Sequence, residues 1–300
     1  MIHSSDICGV NPIAAMPFTR LGEPDFASFN RMLEHLAATG IQGLTLFGIA
    51  SEFPKLDDSE RLLLADCFLS SLQGSGIFRA MSVTDHSTEV AVKRARDYQK
   101  RGADALMLLP PFFLQPDAAA ISHHIFSVLE AVDIPVMVQY APGETGLAIT
   151  PEQLSDVATR YPHAVFKIEC NPPVSYTREF LQRAPQASVL NGYAGLYMLQ
   201  MLEAGGKGVM PGCSFSEIYV QIYRLWQAGK TDAAQALHQQ LLPWIRPWMT
   251  HCEYIIQVEK TILHRRGIIA TDYCRHPGWT LTAQDHQTID NFLTTFSEFL

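Results

Sequence analysis

Eight short runs of β-branched and apolar residues, each followed by a helical pattern, recur from residue 10 to about residue 228, and this alternation constrains the fold more than any other feature. The runs are Val10–Phe18, Gly43–Phe47, Ile77–Val83, Ala105–Leu109, Ile134–Tyr140, Ala164–Glu169, Ser188–Asn191 and Lys207–Met210. Amphipathic segments such as Asp25–Ala38 and Asp57–Leu72 lie between them; in the first, Phe26, Phe29, Leu33 and Leu36 return at helical spacing. Asp58, Ser87 and Thr150-Pro151-Glu152 mark helix starts, and Gly40, Gly74, Gly102 and Gly205 fall where helices stop. Eight consecutive strand–helix units, with no G-x-G-x-x-G after the first strand, predict a (β/α)8 TIM barrel over residues 1–229. Beyond Gly229 the pattern is helical only, over Thr231–Leu242, Ile245–Arg266 and Thr282–Phe299. Residues 230–300 are therefore expected to form a C-terminal helical appendage packed on the barrel.

Composition narrows the partners. The apolar fraction of 47% allows a large core, and a formal charge of −8 with no basic run argues against nucleic acid and acidic membranes. No segment reads as membrane-spanning, and the N-terminus lacks a basic-then-apolar leader pattern, so a cytoplasmic location is expected. The six cysteines are scattered without a C-x-x-C pair and read as reduced thiols. His123 and His124 are adjacent on one helix and cannot face one metal, and no H-E-x-x-H occurs, so neither metal nor cofactor is expected.

Chemistry in such barrels gathers at the C-terminal ends of the strands. Lys167 sits there, late in Ala164-Val165-Phe166-Lys167-Ile168-Glu169, with apolar neighbours on both sides. A desolvated amine has a lowered pKa and a lone pair free to attack a carbonyl. The plainer account is a lysine at a strand end paired with Glu169. Tyr140 ends the fifth strand, beside the sixth, and is expected to face the same cavity and shuttle protons for the amine. On its own, a core tyrosine with a satisfied hydroxyl explains it as well. Gly48-Ile49-Ala50-Ser51-Glu52 follows the second strand.

Together these segments resemble the dihydrodipicolinate synthase and N-acetylneuraminate lyase superfamily of pyruvate aldolases, over essentially the whole chain. The matching pieces are Ala15–Phe18, Gly48–Glu52, Leu109–Phe113, Tyr140–Gly146, Phe166–Glu169, Asn191-Gly192 and Gly205–Gly212. The resemblance implies that Lys167 forms a Schiff base with a 2-oxo acid and that Tyr140 relays protons. It implies that the Ala50-Ser51 turn holds the substrate carboxylate through backbone N–H groups and the Ser51 hydroxyl, with Gly192 and Met210 bordering the pocket. A homo-oligomer, dimer or tetramer, is implied as well.

Three departures stand out. Ile49 and Ala50 replace the threonines of the synthase turn, Phe113 stands where the family has a relay tyrosine, and Glu144 falls at or beside the arginine that binds the aldehyde substrate's carboxylate. They argue against dihydrodipicolinate synthesis. Phe47–Arg61, Ile134–Gly146, Phe166–Cys170 and Gly267–Ala270 with Arg275-His276-Pro277 are similar to the 2-keto-3-deoxy-L-arabonate dehydratase branch. The expected activity is thus a lyase acting on a 2-keto-3-deoxy sugar acid, by dehydration or retro-aldol cleavage. A synthase or N-acetylneuraminate lyase-like aldolase, and a non-catalytic 2-oxo-acid binder, are the alternatives.

Overall fold

Eight strands alternate with helices along the computed structural model, which describes residues 2–300. The strands are β1 (Gly9–Val10), β2 (Gly43–Leu46), β3 (Phe78–Val83), β4 (Ala105–Leu108), β5 (Val136–Tyr140), β6 (Ala164–Ile168), β7 (Ser188–Asn191) and β8 (Gly208–Val209). They form one sheet in the order β1-β8-β7-β6-β5-β4-β3-β2, so chain order is also spatial order and β8 returns beside β1. That ordering defines the (β/α)8 barrel. The helices are α1 (Phe26–Ala38), α2 (Asp58–Ser71), α3 (Thr88–Arg101), α4 (Ala118–Leu129), α5 (Pro142–Thr145), α6 (Pro151–Arg160), α7 (Pro173–Arg183), α8 (Met198–Glu203), α9 (Ser216–Gln227), α10 (Thr231–Trp248), α11 (Cys252–Arg265) and α12 (Ala283–Thr295). None is long and apolar enough to cross a membrane.

The first strand is shorter than expected. Pro12 and Pro17 bring no N–H to a ladder, so regular pairing stops at Val10 and resumes as isolated bridges, from Ile13 to Thr45 and Gly212 and from Phe18 to Pro24. By its contacts the chain groups into two compact units. One joins the segment ending at Gly9 to Phe78–Met210, and the other joins Val10–Ile77 to Pro211–Leu300.

In the first unit, parallel pairing runs without interruption from β3 to β8. Parallel strands covered on both faces need apolar residues on both, and Val136, Met137, Val138, Val165, Phe166 and Ile168 are all buried. Ser87 caps α3 by accepting from the Val90 N–H, and Gly102 ends that helix at φ 97°, a conformation that favours glycine.

In the second unit, Asp57 rather than Asp58 caps α2. Its carboxylate takes the Glu60 N–H while Glu60 reaches back to the Asp57 N–H. Helix α10 also differs from expectation, because it runs through Pro243 and Pro247 and breaks only at Met249. Buried Leu241, Ile245 and Trp248 on one face offset the missing proline donors, and Trp244 and Trp248 pack against Phe292.

Two buried carboxylates organise this unit. Glu52, left-handed at φ 51°, accepts from Lys260 at 2.7 Å, Lys55 at 3.1 Å and the Arg275 N–H at 3.1 Å. Glu259 is fully enclosed against Gly212, where a β-carbon would collide with it. It takes the Ser214 N–H at 2.9 Å, while its second oxygen has no hydrogen-bond partner among the described residues. Burial pushes this carboxyl up to about 7 from 4.5, with the Ser214 and Cys213 N–H groups and Arg266 pulling the other way. The folded state therefore holds that proton more tightly than the unfolded chain. The associated stability is complete below pH 4.5 and is lost as pH climbs through about 7. Chemical denaturation at pH 5 and pH 8 should show Glu259→Gln losing less stability than the parent across that interval, by about 2–3 kcal/mol.

Candidate active site

Strand periodicity decides which side chains share a face. In β5 to β8 the register aligns Gln139 with Lys167, Lys167 with Leu190, and Leu190 with Gly208. Residues two apart point the same way, so Glu169, Gly192 and Met210 continue that face beyond the strand ends. Tyr140, Ile168, Asn191 and Val209 are aligned on the opposite one.

On the first face Lys167 is 4% exposed and its Nζ lies 3.0 Å from Glu169 Oε1. Gln139 Nε2 donates to the other Glu169 oxygen at 2.5 Å, and the Tyr193 N–H donates to Oε1 at 3.2 Å. Gly192 leaves room for this carboxylate, because a β-carbon there would run into it. The result is a buried amine beside a carboxylate whose two oxygens are both oriented. Such a pair can pass a proton from the amine to the acid and expose the lone pair to a carbonyl. Met210 is buried, and its N–H donates to the Asn191 carbonyl at 2.8 Å.

The expectation for Tyr140 is corrected by the same arithmetic. One residue past Gln139, it turns to the helix side, where its ring stacks on Tyr176 of α7 at 4.9 Å. The Tyr140 hydroxyl meets the backbone of Ile149, whose carbonyl accepts from Tyr176 at 2.7 Å. Burial raises the Tyr140 phenol above its ordinary pKa, with Cys170 adding to the shift. The hydroxyl does not lie on the Lys167 face, and Gln139 occupies the aligned place there. From the sequence Glu169 is expected only as an ion-pair partner of Lys167; its two-residue spacing from that lysine is the signal for a larger part.

Glu144 is exposed in α5, directly after β5. Its carboxyl is held above its ordinary value, by desolvation first and by repulsion from Glu169 second, while Lys167 opposes the shift. Phe113 is 77% exposed and rests edge-on against His86. It therefore brings neither a hydroxyl nor a buried surface to the Lys167 face.

Ala50 and Ser51 form a tight turn in the second unit, between Gly48 and Glu52. The Ser51 N–H donates to the Gly48 carbonyl at 2.9 Å and its hydroxyl donates to the Ala14 carbonyl at 2.5 Å. Both Ser51 donors expected for a carboxylate are thus committed to the protein's own carbonyls. The ionic hub at Glu52 fixes the end of this turn.

A parallel eight-stranded barrel with a buried lysine and an oriented carboxylate at the end of β6 describes a lyase of the lysine Schiff-base class. Residues 6–296 match the model of the dihydrodipicolinate synthetase family, and the chain belongs to that family. It is 29% identical to L-2-keto-3-deoxyarabonate dehydratase of Azospirillum brasilense over 90% of this chain and 88% of the relative. It is 26% identical to 4-hydroxy-tetrahydrodipicolinate synthase of Methanopyrus kandleri over 81% of each. Among solved structures, dihydrodipicolinate synthase from Rhodopseudomonas palustris superposes with a TM-score of 0.89 at 26% identity, covering 97% of this chain and 98% of that one.

The packing of Gly192 on Glu169 can be tested without any substrate. Gly192→Ala should cost about 1–3 kcal/mol in thermal or denaturant unfolding by overpacking. In a Glu169→Ala background the same Gly192→Ala substitution should cost far less, giving a clear coupling in the double-mutant cycle.

Proposed function

We propose that this protein dehydrates a 2-keto-3-deoxy sugar acid through an imine on Lys167. The observation that carries the reading is the Lys167–Glu169–Gln139 chain, an amine and a carboxylate 3.0 Å apart with the carboxylate held from its far side. Lys167 attacks the C2 carbonyl and water leaves, forming an iminium that draws electrons and acidifies C3. Glu169 removes the C3 proton, and the resulting enamine expels the C4 hydroxyl, which departs as water with the proton that Glu169 now carries. Hydrolysis of the imine returns the lysine. Retro-aldol cleavage uses the same imine and differs only in breaking C3–C4 after loss of the C4 hydroxyl proton. Removal of the C3 proton by a carboxylate beside the imine favours elimination, and the dehydratase of Azospirillum brasilense is similar along nearly the whole chain.

For the carboxylate of the substrate we keep the Ala50-Ser51 turn as its holder, a part of the proposal that rests on the sequence pattern. A carboxylate there competes with the Ala14 carbonyl for the Ser51 hydroxyl. A homo-oligomer and a cytoplasmic location belong to the same reading.

Reduction with borohydride in the presence of pyruvate should add a pyruvyl mass at Lys167, and Lys167→Ala should abolish both the adduct and turnover. An adduct that persists and maps to Lys207 or another lysine overturns the assignment. Glu169→Gln should still trap pyruvate but lose on the order of 10²–10⁴-fold in kcat, the usual cost of a positioned acid–base group. Tyr140→Phe should stay within a few-fold of the parent, since its hydroxyl is turned to the helices. A panel of 2-keto-3-deoxy acids assayed for water loss against pyruvate release distinguishes dehydration from cleavage.

A further inference from the structure

The turn after β7 does more than hold Glu169. Tyr193 and Ala194 both adopt left-handed backbone, at φ 48° and 46°, followed by Gly195 at φ 71°. For non-glycine residues this conformation costs free energy and persists only where the surroundings impose it. Here the imposed geometry has two results. The Tyr193 N–H is aimed at Glu169, and the Tyr193 side chain is carried toward the loop after β5, where a β-carbon on Gly143 would lie 2.8 Å from the phenol oxygen. Strands β5 and β7 are the two neighbours of β6. A side chain that starts after β7 and ends beside Gly143 therefore crosses the end of the strand that bears Lys167 and Glu169. Glu144, the next residue, presents a carboxylate whose charged neighbours are Glu169 and Lys167.

We propose that Tyr193 is a specificity-determining residue. Its phenol, laid across the end of β6 beside Gly143 and Glu144, reads the far end of the molecule bound at Lys167 for hydroxyl groups and, with Glu144, rejects a second carboxylate. The phenol both donates and accepts, and the carboxylate accepts, so a hydroxylated carbon chain satisfies them together. A distal carboxylate instead meets the like charge of Glu144, which costs roughly tenfold in selectivity. The proposal rests on imine formation at Lys167, and it names the chemistry of the substrate's other end: a monoanionic, polyhydroxylated 2-oxo acid.

Competitive borohydride trapping tests it, with the adduct at Lys167 quantified by mass spectrometry. Three probes are used: pyruvate, which has no distal group; 2-oxoglutarate, which carries a distal carboxylate; and a 2-keto-3-deoxy pentonate, which carries distal hydroxyls. Pyruvate serves as the reference within each variant, so a general loss of reactivity cancels. Tyr193→Phe should lower the pentonate-to-pyruvate ratio roughly fivefold, the net worth of a hydrogen bond or two. Gly143→Ala, which displaces the phenol without touching it chemically, should lower the same ratio. Glu144→Gln should raise the 2-oxoglutarate-to-pyruvate ratio roughly tenfold. A parental pentonate ratio in Tyr193→Phe or Gly143→Ala, or a parental 2-oxoglutarate ratio in Glu144→Gln, overturns the inference while the imine reading stands. Absence of any pyruvate adduct in the parent protein overturns the imine reading, and this inference falls with it.

Discussion

The contact between Lys167 and Glu169 governs the arrangement around it. A buried ammonium without a partner is too costly to keep, so some acceptor has to accompany Lys167 into the protein. The acceptor is supplied two residues along the same strand direction, the shortest spacing that keeps both side chains on one face. With that carboxylate drawn partly out of water, its own lone pairs need donors, and these come from both neighbouring strands: Gln139 from β5 and the Tyr193 N–H after β7. The backbone at Gly192 must then be bare, because the carboxylate occupies the place of a side chain. One ion pair thereby dictates residue types on three adjacent strands.

The second unit follows the same logic with the roles reversed. There a buried carboxylate, Glu52, gathers two lysines and a backbone N–H at the end of the Ala50-Ser51 turn. Lys260 also lies over the Phe18 ring at 4.6 Å. The C-terminal helices thus reach back through Lys260 of α11 to stiffen a turn that follows β2, over two hundred residues earlier in the chain. Breaking such a pair from one side leaves an uncompensated charge, which ties the helical region to the integrity of that turn.

The strand–helix alternation made the barrel legible, because parallel strands buried on both faces are continuous apolar runs that sequence inspection finds easily. Lys167 was legible for the related reason that a cation inside such a run is conspicuous. Tyr140 is harder to place from sequence, because strand parity alone decides its face; a shift of one position exchanges the two faces of a strand. The partner of the Ser51 hydroxyl is hidden for another reason: its acceptor, the Ala14 carbonyl, is a backbone atom 37 residues away that no residue pattern announces. Helix ends moved by a single residue where two aspartates compete to cap, and Pro243 failed to break α10 because tertiary packing outweighs a missing donor.

The left-handed pair Tyr193–Ala194 carries a consequence for how this protein can change. Each such residue stores on the order of 1–3 kcal/mol of backbone strain. Relaxing it, by placing glycine at 194 for instance, offers the chain a sturdier turn and at the same time loosens the donor that steadies Glu169. Selection for thermal robustness and selection for catalytic precision therefore pull on this one turn in opposite directions. Variants evolved for heat tolerance alone would be drawn toward a more durable and slower enzyme.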